Sequence, residues 1–169
     1  MVIKNLLSGA KSAGLILLIF SFFFSCEKTD EDFTPPFDIN VKLEAAGAKT
    51  AFGKIPAGFV KFRQDPDAAK IVNLDTWVFN LAPNHEYNLQ RAVNPITDPD
   101  CTSTTWLTLG LGLTPQTIKT DQKGNGNAAL WRDVSAAVTG TQFRIHFQVI
   151  DATTLAVVLT SDCYIYEVR

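Results

Sequence analysis

The sequence predicts an all-β domain built as an antiparallel β-sandwich, on three observations. Apolar and polar residues alternate strictly in short segments, most clearly in Phe37-Asp-Ile-Asn-Val-Lys-Leu-Glu-Ala45 and Phe143-Arg-Ile-His-Phe-Gln-Val149. A period of two puts successive side chains on opposite faces of a strand. Turn-forming Gly, Pro, Asn and Asp recur between such segments at roughly the 8–12-residue spacing of a sandwich. After residue 36, no window carries the 3.6-residue apolar repeat of a helix.

The elements follow in order. Residues 37 to 45 form the first strand, and Gly58 to Arg63 a second. Ala68 to Leu81 is a third, with Ile71, Val72, Leu74, Trp77, Val78 and Phe79 offering apolar contacts on both faces. Tyr87 to Val93 alternates again, and Asn94-Pro95 with Asp98-Pro99-Asp100 makes a loop. Ser103 to Leu109 is a Thr-rich strand carrying Trp106, and Gly110-Leu-Gly112 is a loop. Residues 117 to 120 are short and β-branched. Asp121 to Gly126 is a turn, from which Asn127 to Arg132 returns as a strand. In Phe143 to Val149 the inward set is Phe143, Ile145, Phe147 and Val149, leaving Arg144, His146 and Gln148 outside. Asp151 to Thr154 reads as a hairpin turn between that strand and Leu155 to Thr160, and Cys163 to Val168 closes the chain.

The N-terminus has a different logic. Lys4 and Lys11 precede the apolar run Leu15 to Phe24, and Ser25 precedes Cys26. Positive residues, an apolar core and a small residue, in that order, mark a secretory signal. The run is about half the ~20 residues a membrane-spanning helix needs. Phe23-Phe24-Ser25-Cys26 resembles the lipobox of bacterial lipoproteins, with Phe at two positions where aliphatic and small residues are more usual. The resemblance implies cleavage before Cys26 and a lipid on its thiol, which anchors the protein in the bacterial outer membrane. Residues 1 to 25 are then a helical signal peptide, 26 to 36 a tether, and 37 to 169 a single β-domain. The tether opens with Glu27-Lys28-Thr29-Asp30-Glu31-Asp32, which resembles a surface-export signal of some lipoproteins. Its charge and low hydrophobicity predict a disordered spacer, stiffened by Pro35-Pro36.

Removing 25 of 169 residues leaves 144, enough for one domain with a substantial core. Two of the 15 basic residues, Lys4 and Lys11, lie ahead of Cys26. The remainder therefore carries 13 bases against 17 acids. A mildly acidic chain without a basic cluster is a poor partner for nucleic acid, whose phosphates need Lys and Arg. It is equally unsuited to electrostatic adhesion to anionic lipid.

With Cys26 lipidated, Cys101 and Cys163 remain as an even pair in an exported chain, which predicts a disulfide. The alternative is two buried free thiols. The bridge would close a loop of about 60 residues and contribute about 4 kcal/mol through chain entropy.

Two resemblances sharpen the expected sandwich. Leu81-Ala-Pro83-Asn-His-Glu-Tyr87 resembles the corner of fibronectin type III and other immunoglobulin-like domains, where Leu-x-Pro-x-x-x-Tyr carries the chain between sheets. It implies that the Tyr87 hydroxyl bonds to backbone upstream. Thr120-Asp121-x-x-Gly124-x-Gly126 resembles a segment of copper/zinc dismutase-like sandwiches. Such a redox site needs several His, and this chain has two.

Chemistry-bearing residues are sparse. His85 and His146 could share a zinc ion with a carboxylate if they met; otherwise they are two exposed polar residues. Asp98, Asp100, Asp121 and Asp151 lie in loops, and a glycosidase would need two of them to converge. Asp121-Gln-Lys-Gly-Asn-Gly-Asn127 resembles part of a calcium loop, but Lys123 stands where a carboxylate would help and no Glu closes it, so it reads as a turn. There is no Gly-x-Ser-x-Gly elbow and no phosphate-binding Gly-rich loop ahead of a helix. Trp77, Trp106 and Trp131 are expected in the core, with an aromatic platform for sugars as the alternative. Tyr164 and Tyr166 face outward if Cys163 faces the core. These readings point to a non-enzymatic binding or structural module without metal or cofactor, its partner a protein or a glycan. A glycan-binding lipoprotein of nutrient uptake is one alternative. A hydrolase or metal protein using the loop carboxylates or His85 and His146 is another.

Overall fold

A computed structural model describes residues 37–47, 55–66 and 68–169. The expected signal peptide, the tether and Cys26 lie outside these residues. Among the described residues there are twelve strands and no helix. They are β1 (Asp38–Ala45), β2 (Ala57–Gln64), β3 (Ile71–Phe79), β4 (Glu86–Pro95), β5 (Leu107–Thr108), β6 (Gly110–Leu111), β7 (Thr114–Pro115), β8 (Thr117–Lys119), β9 (Gly126–Asp133), β10 (Gln142–Asp151), β11 (Val157–Thr160) and β12 (Tyr164–Glu167).

The all-β class is as expected, but hydrogen bonding draws one continuous sheet. Its order is β5-β4-β10-β11-β1-β2-β3-β9-β6-β7, with β12 added on β10 and β8 on β4. The sheet curls until it nearly closes. β8 pairs with β4 through Tyr87–Ile118, and a single Thr120–Gly126 bridge ties the end of β8 to the start of β9. Closure removes the unpaired edges that an open sheet presents.

Alternation builds the core. Val41 and Leu43 of β1, Val60 and Phe62 of β2, Leu74 and Val78 of β3, and Leu89 of β4 all point inward and are buried. In β10 Ile145, Phe147 and Val149 are buried as the sequence predicts, and Phe143 is half-buried. β3 also carries apolar contacts on its outer face, where Trp77 stacks on Phe59 of β2 at 4.6 Å.

Several expectations are corrected. Ser103 to Leu109 is not one strand; only Leu107–Thr108 pairs, against Gln90 and Arg91. The residues before it form a loop organised by Asp98. That carboxylate accepts hydrogen bonds from the Asp100 and Thr102 amides, the Thr102 hydroxyl and the Asn94 side chain. Such side-chain bonds offer the backbone an alternative to a ladder. Gly110–Leu111, expected as loop, makes a short parallel contact with β9.

The Asp98 loop lies over the outer face of β4 and β10, so the outward residues of β10 are not simply solvated. Gln148 is buried and donates to Gln90 at 2.7 Å, and the His146 ring lies 4.7 Å from that of Trp106. A Cys101–Cys163 disulfide, with Cα atoms 5.8 Å apart, pins this loop beside the start of β12. Tyr164 and Tyr166 face inward, not outward. They pair with Ile145 and Phe143 of β10, whose side chains point to the core, and Tyr166 is buried.

Candidate functional site

The Leu81–Tyr87 segment makes the hydroxyl tie its motif implies, but inside one continuous sheet and not between two. Leu81 and Tyr87 are buried, and the Tyr87 hydroxyl accepts the Ala82 amide at 3.0 Å. The Asp121–Gly126 turn docks on it. The Leu81 amide bonds Gly124 O at 3.0 Å, the Asn84 amide bonds Asp121 O at 3.1 Å, and the Thr120 hydroxyl donates to Ala82 O at 2.7 Å. Gly124 has φ +78°, and a Cβ there would stand 2.0 Å from Leu81 O. Asp121 Oδ1 accepts the Lys123 and Asn125 amides, and these bonds hold its carboxyl below the usual range. The segment is a turn.

His85 and His146 do not meet. His85 Nε2 lies 2.7 Å from Asp151 Oδ2, beside the corner. His146 pairs with Ala92 on the same strand as Asp151, five residues away, which is about 17 Å along a strand. A shared ion is therefore outside their reach. Asp151 Oδ1 also accepts the Thr153 and Thr154 amides of the β10–β11 hairpin. Those bonds, with His85, hold its carboxyl below the usual range. The pair staples corner to hairpin. Burial pushes His146 below its ordinary value near 6.5, with the Ser103 backbone and Asp98 opposing, and its Nε2 has no partner among the described residues. Each loop carboxylate is engaged locally: Asp98 organises its own loop, while Asp121 and Asp151 bond within separate turns.

None of the three Trp is fully buried, which corrects the core expectation. Trp106 covers His146. Trp77 lies on the outer face of β2 and β3 with Phe59 and Phe79, whose rings are 6.1 Å apart. Trp131, on the same outer face, is 37% exposed. The β-ladders explain why: the inward parity of β3 and β9 is taken by Val72, Leu74, Val78 and Leu130, so odd-numbered Trp77 and Trp131 must face out.

The interior opens at the end away from the corner. Beyond β8, nothing among the described residues bridges β4 directly to β9, and a cleft of about 220 Å³ enters the core there. Its walls are apolar, from Phe62, Val72, Leu74, Val93, Phe143 and Ile145. Two guanidinium groups enter it, Arg91 from β4 and Arg132 from β9. Arg132 donates to Gly112 O at 3.0 Å, whereas Arg91 has no hydrogen-bond or ion-pair partner among the described residues. Burial, and then the charge of Arg132, hold the Arg91 pKa below its ordinary value. Tyr166 closes the floor; its hydroxyl donates to Gln64 Oε1 at 2.8 Å, and burial pushes it well above the ordinary range.

Neither arginine was singled out from the sequence. The signal was present as parity: Tyr87, Leu89, Arg91 and Val93 share one face of β4, so Arg91 falls on the core side. The chain matches no protein-family model, and neither a curated protein nor a solved structure is similar to it.

Proposed function

We propose that this chain is a lipid-anchored protein of the bacterial outer membrane whose β-domain is a non-catalytic binding module. The lipobox-like Phe23-Phe24-Ser25-Cys26 supports the anchor. The observation that carries the binding role is the apolar cleft with Arg91 inside it. A half-buried charge without a counter-charge among the described residues loses part of its hydration, so its position favours a site that an outside group completes. The Ala82–Tyr87 tie further supports an architectural kinship with immunoglobulin-like sandwiches, which carries no activity.

A glycan-binding role is a second reading, favoured by Phe59, Trp77, Phe79 and Trp131 on one outer face. Flat rings of this kind suit the C–H faces of sugars. Loss of polysaccharide retention in Trp77→Ala and Trp131→Ala would support it, and full retention would end it.

The anchor is tested by intact mass and by protease shaving of cells carrying wild type or Cys26→Ala. A mature mass beginning at a lipid-modified Cys26, absent from the variant, is expected. Identical unlipidated masses for both would remove the anchor from the proposal.

A further inference from the structure

We propose that the Arg91–Arg132 cleft binds a small organic carboxylate, one planar anionic head on a compact apolar body. This rests on the reading of the domain as a binding module and names its ligand class.

Three properties of the cleft set that class. Its walls are side chains of Val, Leu, Ile and Phe together with the Tyr166 ring, so an ion with no apolar part would forfeit hydration and gain no contact. Its 220 Å³ equals about seven waters at ~30 Å³ each, which limits the body to a single ring or a short chain. Its charge is positive and delocalised. A guanidinium is planar and weakly hydrated, and it matches a carboxylate with two parallel N–H donors.

Among the described residues no acid pairs with Arg91, and the nearest charge complement is the attraction between Asp133 and Arg132 at the rim. Asp133 is the one acid among the lining residues. It is exposed, its Oδ1 accepts the Ser135 amide at 2.7 Å, and those bonds to Ser135 hold its carboxyl below the usual range. Arg132 is steadied by Gly112 O, and Arg91 stands opposite it across the unbridged seam. Two like charges facing one another in an apolar cleft repel, and an anion between them reverses the sign of that interaction.

The test uses the full chain purified in a non-ionic detergent, with calorimetric titration of benzoate and hexanoate. Benzyl alcohol supplies the body without the charge, and inorganic phosphate the charge without the body. Saturable one-to-one binding of the carboxylates is expected, with both controls weaker by about tenfold or more. Arg91→Met should weaken benzoate by about tenfold to a hundredfold, the range of a charge-assisted hydrogen bond. Its melting temperature should hold or rise, because an unpaired charge has been replaced by an apolar chain. A fall in melting temperature with unchanged benzoate affinity would make Arg91 a packing residue and overturn the proposal. Should Arg91→Met fail to fold, Val93→Asp decides. It places a carboxylate at the half-open rim, and it should abolish benzoate binding in a folded protein. Retained binding there, benzyl alcohol equal to benzoate, or no saturable carboxylate binding would each sink the idea. A negative result with Cys26 still lipidated removes the ligand class and leaves the anchored module standing.

Discussion

The two ends of the barrel-like sheet are made on opposite plans. At the corner end, backbone and side chains satisfy one another: Leu81 with Gly124, Ala82 with Tyr87 and Thr120, Glu86 with Ala152, and His85 with Asp151. Here β8 pairs with β4, and the Thr120–Gly126 bridge just after it reaches β9, so that the sheet nearly closes. At the other end the bridge is missing, the walls are apolar, and Arg91 faces Arg132. The difference teaches that one sheet can hold its two ends in two ways: reciprocal hydrogen bonds fix the corner end, and apolar side chains line the open one.

The strongest way to break the comparison is Gly124→Ala. The left-handed backbone and the Cβ placed 2.0 Å from Leu81 O force the turn off the corner. Loss of about 3 kcal/mol or more is expected in urea unfolding, from strain together with the broken Leu81–Gly124 bond. An unchanged midpoint would show that the turn does not hold the closed end.

A milder probe is Tyr87→Phe, which removes only the hydroxyl that accepts the Ala82 amide. A loss of about 1 kcal/mol is expected from the same unfolding measurement. A loss below about a fifth of that would mean water replaces the hydroxyl, and the corner would then rest on Leu81 packing alone.

The smallest effect concerns His146, on the flank between the two ends. Burial under the Asp98 loop holds its pKa below 6.5 in the folded chain. The unfolded chain therefore takes up this proton first as pH falls. The contribution to stability is complete above about 6.5 and is lost as pH drops towards the folded pKa. His146→Gln should flatten the pH dependence of unfolding in that window. A slope identical to wild type would show that His146 does not contribute to the pH dependence.

Much of the fold was legible because β-alternation is local. The burial of Val41 and Leu43, of Phe147 and Val149, and of Leu81 and Tyr87 follows from period two and from one short motif. The failures share a cause. Ser103 to Leu109 has strand composition, but its Thr105 amide turns back on the Ser103 hydroxyl and its Trp106 amide on Thr104 O, which takes that backbone out of a ladder. Trp131 was expected in the core, and the side of Tyr166 was left to the facing of Cys163, because facing depends on which strand the segment pairs with. That partner lies some 20 residues away for Tyr166 on β10 and nearly 60 for Trp131 on β3.

What the chain determined by itself was the β class, the cysteine pairing, and the two turns at Leu81–Tyr87 and Asp121–Gly126. Each depends on residues near in sequence, or on counting a reactive type. Only the tertiary structure decided that the two turns lock together, that His85 and His146 stay apart, and that Arg91 and Arg132 share a cleft. Arg91 and Arg132 lie on β4 and β9, with the four short strands β5 to β8 between them in the chain. Their meeting depends on how far the sheet curls before it closes. Curl is a property of all the ladders together, and no single segment carries it.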